Sequence, residues 1–234
     1  MGTSSTARPA YYPVMLDLAG RQALLVGGGD VAAQKAGPLL EAGARLRIVA
    51  PTLAARLRDR VEAGEATWEA REVRDGDVDG ASIVVCATDS REVNRRVYEE
   101  ASAAGVMVNV VDDPELCSFI APSVVRRGPL LLAISTGGRS PAFAKFVRRQ
   151  LETAVGEEYG RLAELAGRMR DRARAAGAGY EQRDRAAEEV LPRLLGLLRE
   201  GRDAEAEALA DSAADAAAAE EPPGATPARP GAAG

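Results

Sequence analysis

The sequence predicts an α/β fold in which a Rossmann-type parallel sheet is followed by a small helical domain. Three observations carry this. Short apolar runs alternate with amphipathic stretches from Gln22 to Val111. A glycine triplet follows the first run directly. The core is aliphatic, since 46% of the residues are hydrophobic but only 4% aromatic, which suits layered α/β packing better than an aromatic-rich sandwich.

Each element follows in order. "QALLV" is a short buried strand, and "DVAAQKAGPLLEAG" a helix stopped by Gly43. "RLRIVA" is the second strand, "LAARLRDRVEAG" the second helix, and "ATWEA" a weaker strand. "ASIVVCAT" is a continuous apolar run, followed by the helix "REVNRRVYEEASAAG" and the strand "VMVNVV". Repeats of this kind imply right-handed crossovers and a parallel sheet covered on both faces. A dinucleotide-binding domain is expected over 11–113.

After Pro114 the pattern changes, and 114–152 reads as a separate segment. "PLLLAIS" is strand-like, and "SPAFAKFVRRQLETAV" a helix with Ser140 as N-cap and Pro141 at its first position. "EEYGRLAELAGRMRDRARAAG" and "YEQRDRAAEEVLPRLLGLLRE" give two further helices over 153–200, with a bend expected at Pro192. Residues 1–10 and the Ala/Pro/Gly/Glu-rich stretch 201–234 have little to bury and are expected to be disordered.

Charge and composition exclude several functions. The net charge of −5 resides beyond Gly201, where seven acids face Arg202 and Arg229. The remainder is formally neutral, which argues against a nucleic-acid partner. There is no histidine, so a Ser-His nucleophile, a His proton shuttle and a His-ligated zinc are all excluded. Cys86 and Cys117 have no partner spacing, so neither a disulfide nor a Cys-based metal site is expected. No apolar run is long enough for a bilayer and no signal segment precedes the first strand, pointing to a cytoplasmic protein without a membrane partner.

The glycine loop is the first site. Gly27, Gly28 and Gly29 lie between the first strand and first helix, in the pattern Gly27-x-Gly29-x-x-Ala32. Gly27 permits the tight turn, Gly29 lets a pyrophosphate approach the backbone, and Ala32 lets the helix pack on the sheet. The phosphates would meet the free N–H groups of that helix. A plain turn using glycine for its positive φ is the alternative. The acid expected at the end of the second strand is replaced by Ala50, Pro51 and Thr52, with Arg56 close enough in sequence to meet a 2′-phosphate, so spacing leaves NAD and NADP open. Thr88 and Asp89 at the end of the fourth strand, and Asn109 in the fifth, are further candidates for the cofactor side. Asp89 or Ser90 serves equally well as an ordinary helix N-cap.

Taken together, "GGGDVAAQKAGPLLEAGA", "CATDSREVN" and "VNVVDDPELCSFIAPSVVRRGPLLLAISTGGRSPAFAKFVRRQLE" resemble the siroheme synthase N-terminal family. The likeness is close from Tyr12 to Glu152 and looser beyond, and it implies the stand-alone form, for which no methyltransferase module is expected. The resemblance implies NAD-dependent oxidation of precorrin-2 to sirohydrochlorin, with Fe²⁺ then inserted by bifunctional members to give siroheme. It also implies a homodimer, with 114–152 as dimerisation and substrate segment. Carried over by position, Asp112 is the acid/base residue, and Asp30, Val31, Pro51 and Thr52 fall among the NAD contacts. Thr136, beside Ser135, stands where some relatives carry a phosphorylated serine.

The residues themselves lead to the same aspartate. Ligands of open parallel sheets gather at the carboxyl ends of the strands, where "NVVDDP" places Asp112. A carboxylate in a partly dry cleft there would have its pKa raised toward the working range and take a proton as hydride leaves. Asp113, before Pro114, then makes the turn. The bland alternative gives both acids to the turn. Ser135, Thr136, Gly137, Gly138, Arg139 and Ser140 form a second anion-friendly loop for substrate. Arg126, Arg127, Arg148 and Arg149 join Arg139 as candidate partners for substrate carboxylates, or else form a solvated face or pair with local acids. The rival function is an NAD(H)-sensing module without turnover.

Overall fold

A computed structural model describes residues 11–220, which divide into two compact units. The first holds the described chain up to Ala121 together with Gly137–Ser140, and the second holds Pro122–Thr136 and the chain from Pro141 on.

The first unit is the predicted sheet. Strands β1 (Gln22–Val26), β2 (Arg45–Val49), β3 (Ala66–Glu69), β4 (Ile83–Cys86) and β5 (Met107–Val110) are all parallel, in the order β3-β2-β1-β4-β5. The order reverses between β1 and β4, so their carboxyl ends open a crevice. Helices α1 (Asp30–Glu41) and α2 (Ala55–Glu62) cover one face through Ala32, Ala36, Leu39 and Leu57. Helix α3 (Arg91–Ala103) covers the other through Val97 and Ala101.

The crossover from β3 to β4 contains no helix. It places Val73, Val78 and Ala81 on the α3-side core and closes the rest with ions. Arg47 from β2 donates to Glu69 at 2.9 Å and to Asp77 at 3.3 Å. Arg71 makes two 2.7 Å bonds to Asp77, which is only 6% exposed, and a third to Glu69. The Arg71 guanidinium, ahead of the Arg74 amide and Arg47, holds the Asp77 carboxyl well below the ordinary carboxylate range.

The first unit continues past Asp113, where the sequence reading ends it. A short 3-10 turn, Pro114–Leu116, folds the chain back so that Ser118 N donates to Val108 O at 2.9 Å. The Ser118 hydroxyl in turn accepts from Val108 N at 2.8 Å.

In the second unit, β6 (Ser123–Arg127) and β7 (Leu130–Ile134) form an antiparallel hairpin beside α4 (Pro141–Ala154). Strand β6 has no counterpart in the sequence reading. Pro141 opens α4 as expected. Helices α5 (Glu158–Ala175), α6 (Tyr180–Arg199) and α7 (Asp203–Ala219) pack together, and α6 runs unbroken through Pro192. Helix α7 corrects the expectation of disorder from 201. Ala206, Ala210, Ala214 and Ala217 are all buried, forming a narrow stripe against a core that includes Leu165 and Leu194. The acids meant to solvate the stretch instead meet arginines of α5, with Arg172 held at 2.7 Å by Asp215 and Arg161 bonded to Glu207. Small residues at helical spacing bury little area each, yet they let two helices approach closely, which composition does not reveal. The expectations for 1–10 and for 221–234 lie outside the described residues.

Candidate active site

The crevice is built by backbone approaches that exclude side chains. Gly27 is left-handed (φ 116°), and a β-carbon there would stand 2.3 Å from Ala87 O, at the end of β4. At Gly28 it would stand 1.9 Å from Thr52 O, beyond β2. The Gly28 carbonyl accepts from Ala54 N at 2.7 Å, so the loop is fastened to the β2 end as well as leaning on it. Gly29 differs: nothing lies within 4 Å of its β-carbon position, and no side chain caps α1. The first amides of α1 therefore face open space beside a bare backbone, which is what an anionic phosphate group needs. Asp30 and Val31 are exposed there, Val31 at 45%.

Pro51 and Thr52 are exposed at the β2 end, where Trp68 Nε1 donates to Ala50 O at 2.9 Å. Thr88 is committed internally. Its hydroxyl bonds Asn94 Oδ1 at 2.7 Å, and its carbonyl accepts from Asn94 Nδ2 at 3.0 Å. Ser90, rather than Asp89, caps α3 by accepting from Val93 N at 3.3 Å, leaving Asp89 exposed. Asn109 also has an internal task, since Nδ2 donates to Phe119 O at 3.0 Å and contacts Cys117 Sγ at 3.4 Å. What Asn109 retains for a ligand is its Oδ1.

The two aspartates after β5 diverge. Asp113 N donates to Val110 O at 3.3 Å, closing a four-residue turn from Val110. Asp112 occupies the third position with φ 61°, the only left-handed residue other than glycine among those described. This is the corner where type II turns ordinarily take glycine. Its carboxylate is exposed and makes no hydrogen bond or ion pair among the described residues. Asp113 is half-buried, 3.9 Å from the Arg91 Nε. Asp113 thus closes the turn through its backbone N–H, while Asp112 stands exposed at the corner beside it. The partly dry cleft is corrected, because the chain alone leaves Asp112 in solvent.

The substrate candidates separate too. Gly137 and Gly138 are both left-handed, and Gly137–Ser140 cluster with the first unit. Arg139 is exposed there, as are Arg126 and Arg149 in the second unit. Arg127 is a structural residue. Its Nε donates to Val155 O at 2.9 Å and its Nη2 to Glu152 O at 3.0 Å, capping the end of α4. Arg148 pairs with Glu152. Both cysteines are free. Burial pushes the Cys86 thiol up to about 12, leaving it an inert core group.

The close approach at Gly28 and the contacts of Cys117 Sγ with the Val110 and Asp113 carbonyls were absent from the sequence reading. The second glycine of an unbroken triplet was the available signal for the first.

Three family models match successive parts of the chain: a putative NAD(P)-binding model over 14–123, the sirohaem biosynthesis protein central model over 127–154, and the sirohaem synthase dimerisation region over 158–214. The chain is 44% identical over 173 residues to siroheme synthase of Photorhabdus laumondii, covering 74% of this chain and 37% of that protein. It is 44% identical over 204 residues to siroheme synthase of Pseudomonas paraeruginosa, covering 85% and 43%. The chain thus spans less than half the length of these curated relatives. Among solved structures it resembles a precorrin-2 dehydrogenase, SirC, with a TM-score of 0.71 and 26% identity over 86% of this chain and 100% of the other. No helix among the described residues is long and apolar enough to cross a membrane.

Proposed function

We propose that this chain, which belongs to the siroheme synthase N-terminal family, oxidises precorrin-2 to sirohydrochlorin with NAD⁺ as acceptor. The observation that carries the reading is Asp112: an exposed carboxylate with no partner among the described residues, fixed at a left-handed corner after β5, the strand next to β4 of the switch point.

The crevice fits the dinucleotide. Space is open at Gly29 where a pyrophosphate would come against backbone, and the first α1 amides are there to receive its charge. Gly27 and Gly28 keep the loop pressed between the β2 and β4 ends. Pro51 and Thr52 are available to the adenosine side. Bound NAD⁺ supplies the hydride acceptor.

The rest falls to the chain. Two-electron oxidation of the ring removes a hydride and a proton, and Asp112 is the base assigned to that proton. The backbone corner, rather than a hydrogen bond to the carboxylate itself, sets its aim. Arg139, with the 135–140 loop, is assigned to the carboxylates of the tetrapyrrole. Covering of the site by substrate supplies the desolvation that the chain alone lacks. The match to a dimerisation region supports a homodimer. Exposed Phe143 and Phe146 on α4, stacked at 6.3 Å, accord with a face covered in an assembly.

The relatives' name favours a second step in which Fe²⁺ enters the sirohydrochlorin ring as substrate. Both steps are read in one anaerobic cuvette. Precorrin-2 and NAD⁺ should yield equal amounts of NADH and sirohydrochlorin, and later Fe²⁺ should convert the product spectrum. NAD⁺ binding without NADH formation from authentic substrate would return the chain to the sensing-module reading.

A further inference from the structure

We propose that Cys117 is a positioning residue for Asp112, its thiol clasping the two carbonyls that bracket the turn from which that carboxylate projects. The inference rests on the role given to Asp112 above.

Cys117 Sγ lies 3.2 Å from Val110 O and 3.2 Å from Asp113 O, the two ends of the four-residue turn. Its one S–H is shared between them, while the sulfur accepts from Asn109 Nδ2 at 3.4 Å. An isolated antiparallel bridge joins Asn109 to Cys117, and the Ser118 bonds to Val108 continue it. The chain after the turn is thus stitched back along β5, delivering the sulfur beneath the corner. No other side chain among the described residues bonds both bracketing carbonyls.

The corner needs such a support. A left-handed conformation at a residue with a β-carbon persists only where its surroundings over-determine it. Burial raises the Cys117 thiol above its ordinary range, so at neutral pH it remains protonated and able to donate. The backbone bond from Asp113 N closes the turn, and the sulfur fixes how its two ends face each other. Loss of the thiol would leave the glycine loop as it is and spoil the aim of one carboxylate.

The test compares the full chain with Cys117→Ala, Cys117→Ser and Cys117→Val. Steady-state oxidation of precorrin-2 is measured together with amide hydrogen exchange across 110–118. Cys117→Ala should lower kcat about 10-fold with KM for NAD⁺ unchanged, while Cys117→Ser, which keeps a donor, stays within about threefold of the parent. Exchange across 110–118 should quicken in the alanine variant and not in the serine variant. Parental kcat with unchanged exchange in Cys117→Ala overturns the clasp. So does a kcat loss matched by weaker NAD⁺ binding and a lowered melting temperature, which marks a residue that only holds the fold. If Cys117→Ala fails to fold, Cys117→Val, which fills the same space without a donor, should show the same selective fall in kcat; parental kcat there overturns the proposal. A parent chain without turnover would remove the dehydrogenase reading alone, and the exchange comparison would still decide the clasp.

Discussion

Gly28 faces the Thr52 carbonyl so closely that a β-carbon would sit 1.9 Å from its oxygen, whereas one on Gly29 would meet nothing within 4 Å. Adjacent glycines thus stand in different surroundings, one closed in by the protein's own backbone and one open.

Gly28→Ala should therefore damage the fold itself. Backbone must move to admit the methyl group, at a cost of about 3 kcal/mol, read as a lowered midpoint in urea. Gly29→Ala should fold with near-parental stability and lose NAD⁺ affinity, measured by fluorescence titration. Equal effects of the two changes would refute the distinction.

Asp112 invites two contrasting replacements. Asn tolerates a left-handed backbone, so Asp112→Asn should keep its stability and NAD⁺ binding while kcat falls at least about 100-fold. Asp112→Gly should be equally inactive yet more stable by about 1 kcal/mol, because the strain at φ 61° is relieved. Full activity in either variant would assign both aspartates to the turn.

The ion cluster beneath the β3–β4 crossover predicts an acid response. Asp77 is held ionised in the fold by Arg71, with its pKa depressed relative to the unfolded chain. Its contribution is fully present above the unfolded value of about 4 and is lost as pH falls below it. Asp77→Asn should cost about 3 kcal/mol at neutral pH and flatten the loss of stability below pH of about 4. An unchanged acid-denaturation curve would contradict this.

Helix α7 makes a prediction opposite to that of a disordered tail. Ending the chain at Glu200 should expose Leu165 and Leu194, which are fully buried, and lower the melting temperature of the helical unit markedly. Ala210→Leu should cost about 1–3 kcal/mol by overfilling the stripe, as followed by circular dichroism. A truncated chain as stable as the parent would show the helix to be dispensable.

What the sequence disclosed followed the strength of its periodic signals. The runs "QALLV" and "IVVC" are buried almost throughout, so their parallel pairing was readable without a partner strand. The glycine triplet and the acid at the end of β5 stood out as candidates because ligands of open parallel sheets gather at strand ends. The left-handed corner at Asp112 was not, since it depends on residues as far away as Cys117. Arg127 could not be told from the other candidate arginines, because nothing local announces that α4 ends against it. Helix α7 was hidden by alanine, whose burial is a matter of fit rather than of oiliness.

The helix-free crossover also governs where this domain can tolerate extra residues. The stretch between β3 and β4 is pinned at Arg71, Arg74 and Asp77, so a spliced-in loop would tear guanidinium from carboxylate at once. The turns at Gly64 and Gly105 have free space around them, and they are the natural places to graft a tag or sensor.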